Sequence, residues 1–123
     1  MIRAAALFAA LAAPTAAGDD PTFPATDCAA LWSATAAFRA TYAIDRAPPA
    51  EAEAMAAAFR EAALALGAGP AAALDRRIAE LHRVYFVLLQ RAILDGDREA
   101  RDRHEGLAEL CGAFAEARGL AGH

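Results

Sequence analysis

The chain has 123 residues, of which 58% are hydrophobic, and a formal net charge of -4 at pH 7. This length allows one domain with a single hydrophobic core. The mild acidity argues against a nucleic-acid partner, which needs a basic face to displace counterions, and against a polybasic role at a membrane surface.

The amino-terminal segment has the three parts of a secretory signal peptide. Arg3 makes the first residues positive, residues 4–13 form an uninterrupted apolar run, and Pro14 ends that run. Small residues then occupy the positions that a signal peptidase recognises. We therefore predict cleavage after Ala17, with Gly18 as the alternative last residue of the signal.

Two other interpretations of this segment fit the residues less well. A membrane-spanning helix needs about 20 residues, and the segment from residue 4 to Ala17 is shorter. A lipoprotein would have a cysteine beside the apolar run, but Cys28 lies well beyond it. We therefore predict an exported protein, periplasmic or secreted, with no membrane anchor after cleavage. Removal of Arg3 changes its net charge from -4 to about -5.

The exported part is predicted to be a lead-in, one helical domain and a short tail. Residues 18–26 contain two prolines and no apolar periodicity, which indicates an extended lead-in. Apolar residues then recur at helical spacing through residues 27–118, which form a single domain. The predicted helices cover residues 27–43, 50–66, 70–94 and 98–118, and residues 119–123 form a flexible tail.

Local signals support the ends of these helices. Thr26 or Asp27 is expected to cap the first helix. Pro49 suits the first turn of the second helix, and Gly67 suits the left-handed residue that ends it. Asp97 is expected to cap the fourth helix.

Each predicted helix carries one apolar stripe, and short loops join consecutive helices, which predicts an all-α, up-down-up-down four-helix bundle. The second helix is rich in alanine, which lets its neighbours approach closely and leaves less room for a central ligand. In chain order, the stripes are Cys28, Leu31, Trp32, Thr35, Phe38 and Tyr42; Met55, Phe59, Ala62 or Ala63, and Leu66; Leu74, Ile78, Leu81, Tyr85, Leu88 and Ala92; and Ala100, His104, Leu107, Cys111 and Phe114.

The two cysteines of the chain both lie on predicted core stripes. In an up-down-up-down bundle, Cys28 and Cys111 lie near the same end, so in an oxidising compartment they are expected to form a disulfide. One alternative is a pair of buried, reduced thiols. A second alternative is redox catalysis, which favours two cysteines close in sequence, and this chain lacks that spacing.

The residues predict neither a metal nor a cofactor. His82 and His104 have no ligand-type residue three or four positions away on their helices, and His123 ends the chain. A covalent haem needs a Cys-x-x-Cys-His motif, which is absent. Met55 with His104 is the one conceivable pair of axial haem ligands, and it is a weak signal.

Catalytic motifs are also absent, so we expect no enzymatic activity. Ser33 is the single serine and has no glycine-rich elbow around it. The glycines fall singly, mostly at helix ends, and form no phosphate-binding loop. The alternating charges of residues 97–105 are typical of a solvated helix face.

The third predicted helix is apolar on more than one side. Val87 and Leu94 lie about opposite its main stripe, and together with Val84 and Phe86 they form a predicted interface. The leading hypothesis is therefore a non-enzymatic module that binds a protein partner or itself as a homo-oligomer. The alternative is a carrier or sensor that holds a small apolar ligand between helices.

Overall fold

The computed structural model describes residues 20–43 and 47–120, so the predicted signal peptide and its cleavage site at Ala17 and Gly18 lie outside the described residues. The described residues form four helices and no strand, which confirms the all-α prediction. The helices are α1 (Ala25–Tyr42), α2 (Pro49–Ala65), α3 (Ala71–Leu89) and α4 (Arg98–Arg118), and a π-helical segment (Gln90–Leu94) continues α3.

The first helix, α1, packs against both α2 and α3. It runs antiparallel to α2, because Arg39 near its end lies beside Glu51 at the start of α2. It runs parallel to α3, because Ser33 contacts His82 and the later residue Tyr42 contacts Gln90.

The fourth helix completes the up-down-up-down arrangement. Ala92, in the π-helical segment that continues α3, clusters with Ala100 at the start of α4. Farther from this connection, Tyr85 and Leu107 line one groove, so α3 and α4 are antiparallel. The predicted order of helix directions is therefore the observed one.

The start of α1 differs from the prediction. The helix begins at Ala25, Thr26 lies inside its first turn, and no side chain caps it. Asp20 instead accepts hydrogen bonds from the backbone N–H and the hydroxyl of Thr22, at 2.9 and 2.8 Å. An aspartate that binds the residue two positions later stabilises a turn. The described part of the lead-in expected over residues 18–26 is therefore a turn and a helix start, not an extended segment.

The other helix ends agree closely with the local signals. Pro49 occupies the first turn of α2. The φ angle of Gly67, which follows α2, is 97°. Asp97 caps α4 by accepting a 3.1 Å hydrogen bond from the backbone N–H of Ala100. Arg91, in the π-helical segment, also donates to Asp97, with Nε at 3.1 Å, and so ties the two sides of this connection together.

The main core lies where α1, α2 and α4 meet, and the predicted stripes supply most of its large side chains. The stripes missed other alanines, such as Ala29 and Ala115, because a short side chain gives a weak periodic signal but becomes buried where helices approach closely. The buried members of the main cluster are Cys28, Ala29, Leu31, Met55, Phe59, Cys111 and Ala115.

The described part of the predicted carboxy-terminal tail is residues 119 and 120. Gly119 ends α4 with a φ of 65°, as expected, but Leu120 packs against the main core. Residues 121–123, including His123, lie outside the described residues. Among the residues that the structure describes, no helix is long and apolar enough to cross a membrane.

Candidate functional site

A cleft with a volume of about 230 Å³ opens between α1, α2 and α4. Three helices contribute to its wall, and most of the lining residues recur three or four positions apart within each helix, as one helix face requires. They include Leu31, Trp32 and Arg39 from α1, Met55 and Phe59 from α2, and His104, Ala108 and Cys111 from α4.

Small residues on α4 create the space for this cleft. Ala108 and Gly112 line it, and a Cβ atom added at Gly112 would meet nothing within 4 Å. α2 and α4 approach each other at the rings of Phe59 and Phe114, whose centroids are 5.9 Å apart. The expectation that an alanine-rich second helix leaves little room for a ligand therefore applies to the bundle centre but not to this side of α2.

The cleft has an apolar end and a polar end. Phe59, which is 0% exposed, and the disulfide sulfur of Cys111 lie at the apolar end. His104 lies seven residues before Cys111, about two helical turns away. Arg39 lies about three turns beyond Cys28 on the antiparallel helix α1. His104 and Arg39 are therefore displaced from the disulfide in the same direction.

The polar end of the cleft carries one permanent positive charge, that of the Arg39 side chain. The Arg39 guanidinium lies 6.0 Å from the centroid of the Trp32 ring, and its Nη1 atom is 3.9 Å from the carboxylate of exposed Glu51. Burial lowers the pKa of His104 below its ordinary value, so its imidazole is neutral near pH 7. Arg39, whose side chain is only 16% exposed, is the cation of this cleft.

The position of His104 bears on the haem ligand pair considered from the sequence. Asp97 is the cap of α4, and His104 faces the cleft. Met55 lines the same cleft, so the structure brings the conceivable haem ligand pair together. The volume of about 230 Å³ is below the roughly 300–1,000 Å³ of typical cofactor sites, so a porphyrin does not fit unless the helices separate.

A disulfide joins Cys28 to Cys111, with an S–S distance of 2.04 Å and a Cα–Cα distance of 5.6 Å. These are the two cysteines of the chain, and neither is free, so the alternatives that require thiols do not describe this structure. The bridge links the start of α1 to α4 and lies at the apolar end of the cleft.

The four residues of the predicted interface on α3 differ in exposure. Val84, Val87 and Leu94 are 54%, 50% and 43% exposed. Phe86 does not belong with them, because its ring packs against Phe38, at a centroid distance of 6.1 Å, and against other aromatic rings between α1 and α3. Phe86 is therefore partly covered by α1 and does not share the exposure of the other three residues.

One polar contact went unnoticed in the sequence. Ser33 Oγ lies 2.8 Å from Nδ1 of His82, whose ring is stacked on Phe86. Among the described residues no carboxylate binds His82, and Ser33 lies within α1, where the backbone N–H groups are used by the helix. We interpret the pair as a tertiary hydrogen bond, which only the parallel register of α1 and α3 could have indicated.

Comparison with protein-family models, with curated proteins and with solved structures found no match. In the part of the chain that the structure describes, no group of three or more His, Cys, Asp or Glu side chains is arranged to hold a metal ion. The cleft between α1, α2 and α4 is therefore the candidate functional site.

Proposed function

We propose that this protein is an exported carrier or sensor that binds a small molecule with an apolar body and an anionic group. The observation that carries the proposal is the cleft itself, in which aromatic and aliphatic side chains lead to a single arginine. A concave, mostly apolar site with one or two polar groups is typical of small-molecule binding. This was the alternative to the leading sequence hypothesis.

The apolar end of the cleft supports the choice of an apolar ligand body. Leu31, Met55 and Phe59 are buried, and the disulfide-bonded Cys111 also lines the cleft. Apolar surface removed from water contributes about 25 cal/mol per Å², which favours an alkyl chain or a single ring. The volume of about 230 Å³ sets the upper size, because larger ligands use sites of roughly 300 Å³ or more.

The polar end supports an anionic group rather than a neutral one. Arg39 presents a guanidinium that binds carboxylates in a two-point geometry. At 4 Å, opposite charges attract by about 4 kcal/mol at an effective dielectric constant near 20, before the cost of desolvation. A carboxylate at the polar end is therefore expected to bind more tightly than an alcohol of the same chain length.

A binding function also fits the arrangement of reactive groups better than catalysis. The Ser33–His82 pair lies between α1 and α3, outside the wall of the cleft. An acyl-transfer site would need a base, an orienting group and donors for the developing oxyanion around one position. We therefore propose a protein without enzymatic activity.

The chain offers a direct assay for this proposal. Trp32 is the single tryptophan and lies in the wall of the cleft, so its fluorescence reports occupancy. We expect titration with octanoate to give a saturable, one-to-one change in Trp32 emission. 1-Octanol is expected to give the same change with at least tenfold weaker binding, or about 1.4 kcal/mol.

Two matched variants of α4 act as the control. Ala108→Phe places a ring in the cleft and is expected to abolish binding of both probes. Ala113→Phe adds the same ring at an exposed position of the same helix, outside the cleft wall, and should leave binding unchanged. Failure of both probes to bind, or equal effects of the two variants, would overturn the proposed function.

We also propose that the protein acts outside the cytoplasm, in the periplasm or as a secreted chain. The disulfide supports this location, because such bonds persist in oxidising compartments. A native mass spectrum of protein purified from its own host would show the predicted cleavage after Ala17, the intact bridge and any retained small molecule. A mass that includes residue 1 would overturn the export proposal.

Protein association is the second candidate function. The specific observation in its favour is the exposure of Val84, Val87 and Leu94 on α3 and its π-helical continuation. Isolated exposed apolar residues are ordinary, but residues that share one helix face are a more informative pattern. This surface lies on a helix that does not line the cleft, so the two functions are compatible.

A further inference from the structure

An exposed stripe runs along α3 and the π-helical segment after it. Its members are spaced alternately four and three residues apart, which is the spacing of a helix face that packs against another helix. All of them are exposed. Two valines lie between an acidic and a basic residue, and a leucine follows the basic one: Glu80, Val84, Val87, Arg91 and Leu94.

This stripe is complementary to itself under a two-fold rotation. When two copies of α3 pair antiparallel around a point midway between Val84 and Val87, Val84 of each copy faces Val87 of the other. The same rotation places Glu80 of each copy opposite Arg91 of the other, which gives two such pairs. It also places Leu94 beside the aliphatic stem of Arg77, which can cover it.

The charges already present favour this pairing. Within one chain, the Arg77 Nη1 atom lies 3.4 Å from Glu80, and Arg91 is ion-paired with Asp97. In the dimer, the Arg77–Glu80 pair of one copy lies beside the Arg91–Asp97 pair of the other. Two cations and two anions then alternate in one row on each side of the valines. Networks of this kind contribute more than isolated surface ion pairs do.

We infer that α3 is a homodimerisation surface whose partner is a second copy of this chain in antiparallel orientation. This inference rests on the second candidate function, protein association, and names the partner. One helix pair buries less area than the roughly 1,200–2,000 Å² of standard stable interfaces. The expected dimer is therefore reversible, with a dissociation constant in the micromolar range or weaker.

The charge pattern gives a test by reversal and rescue. Sedimentation equilibrium over a range of concentrations is expected to show a monomer–dimer equilibrium for the full exported chain. Glu80→Arg and Arg91→Glu each place like charges opposite one another and should weaken the dimer at least tenfold. The double variant Glu80→Arg with Arg91→Glu restores opposite charges and should recover most of the affinity.

Control variants separate this surface from general effects of charge and folding. Glu116→Arg changes the net charge by the same amount as Glu80→Arg, at an exposed position of α4. It should leave dimerisation unchanged. Val87→Asp should give a monomer, and because Val87 is 50% exposed the fold should be retained by circular dichroism. Arg91→Glu also breaks the ion pair with Asp97, which caps α4, whereas Glu80→Arg breaks only the exposed pair with Arg77, so Glu80→Arg is the decisive single variant.

Three outcomes would overturn the inference: a chain that is monomeric at every concentration, a dimer unaffected by Glu80→Arg and Val87→Asp, or a double variant no better than the single ones. A complex with a different protein that Val87→Asp abolishes would support the second candidate function while overturning self-pairing. Loss of protein association in every form would overturn both.

Discussion

At the scale of single residues, the contact between Tyr85 and Asp27 connects α3 to the first turn of α1. The Tyr85 hydroxyl donates a 2.5 Å hydrogen bond to the Asp27 carboxylate. Burial, followed by this hydrogen bond, raises the pKa of Tyr85 well above its ordinary value. The ionised phenolate is disfavoured in the folded protein because it would lose both water and this acceptor.

We predict that Tyr85→Phe lowers the free energy of unfolding by about 1–2 kcal/mol near pH 8, because a hydrogen bond to a charged group is lost. The stabilisation by the neutral hydroxyl is complete below the pKa of an unfolded tyrosine, about 10, and is lost as the pH rises above it. Urea unfolding at pH 8 and at pH 11 measures both effects.

The matched control for this prediction is Tyr42→Phe. The Tyr42 hydroxyl accepts a 2.8 Å hydrogen bond from the neutral amide of Gln90, so its removal should cost less. If the difference between wild type and Tyr85→Phe stayed the same at both pH values, the role given to the hydroxyl would be wrong.

At the scale of elements, the start of α4 depends on one side chain. Asp97 accepts from the backbone N–H of Ala100 and from Arg91 in the preceding π-helical segment. The hydrogen bond from Arg91, and then the backbone hydrogen bond from Ala100, lower the pKa of Asp97 below its usual range. The carboxylate therefore both caps α4 and fixes its connection to α3.

We predict that Asp97→Ala lowers the melting temperature more than Asp97→Asn, because asparagine keeps the capping oxygen and loses the charge. The contribution of the charge is present above the unfolded aspartate pKa of about 3.9 and is lost as the pH falls below it. Wild type and Asp97→Asn should therefore differ at pH 7 and converge near pH 3. Thermal unfolding followed by circular dichroism makes the comparison.

Asp102→Asn provides the reference for this experiment, since Asp102 is exposed on the same helix and has no capping role. Its melting temperature should match that of wild type at pH 7. A decrease as large as that of Asp97→Asn would mean that net charge, not the cap, determines the stability of α4.

At the scale of the whole molecule, the disulfide connects residues that are 83 positions apart. It holds α4 against α1, and Cys111 also lines the cleft, so the same bond connects the bundle with the wall of the candidate site. In the loop-entropy model, a loop of this length contributes about 4.5 kcal/mol at 25 °C. That is a large part of the 5–15 kcal/mol that stabilises a typical domain.

We predict that reduction of the bridge lowers the free energy of unfolding by up to about 4.5 kcal/mol. Urea unfolding with and without a reductant measures the change. The double variant Cys28→Ala with Cys111→Ala should have the stability of the reduced protein and be insensitive to reductant. A reduced protein as stable as the oxidised one would show that packing alone holds α4 in place.

Helix existence, the direction of each helix and most helix ends, though not the start of α1, followed from the sequence alone. They depend on local signals, such as Pro49 in a first turn and Asp97 at a cap, and on apolar spacing within one helix. The pairing of Cys28 with Cys111 followed as well, because both lie on core stripes and the topology places them at one end.

Tertiary structure decided the features that depend on how the helices approach one another. The cleft is lined by Ala108 and Gly112 of α4 together with residues of α1 and α2, and no local pattern measures how closely these helices approach one another. In the same way, α1 covers Phe86 but leaves Val87 exposed. The sequence by itself therefore determined the helices and their connections, while packing between distant segments decided where the surface is open and which charge faces it.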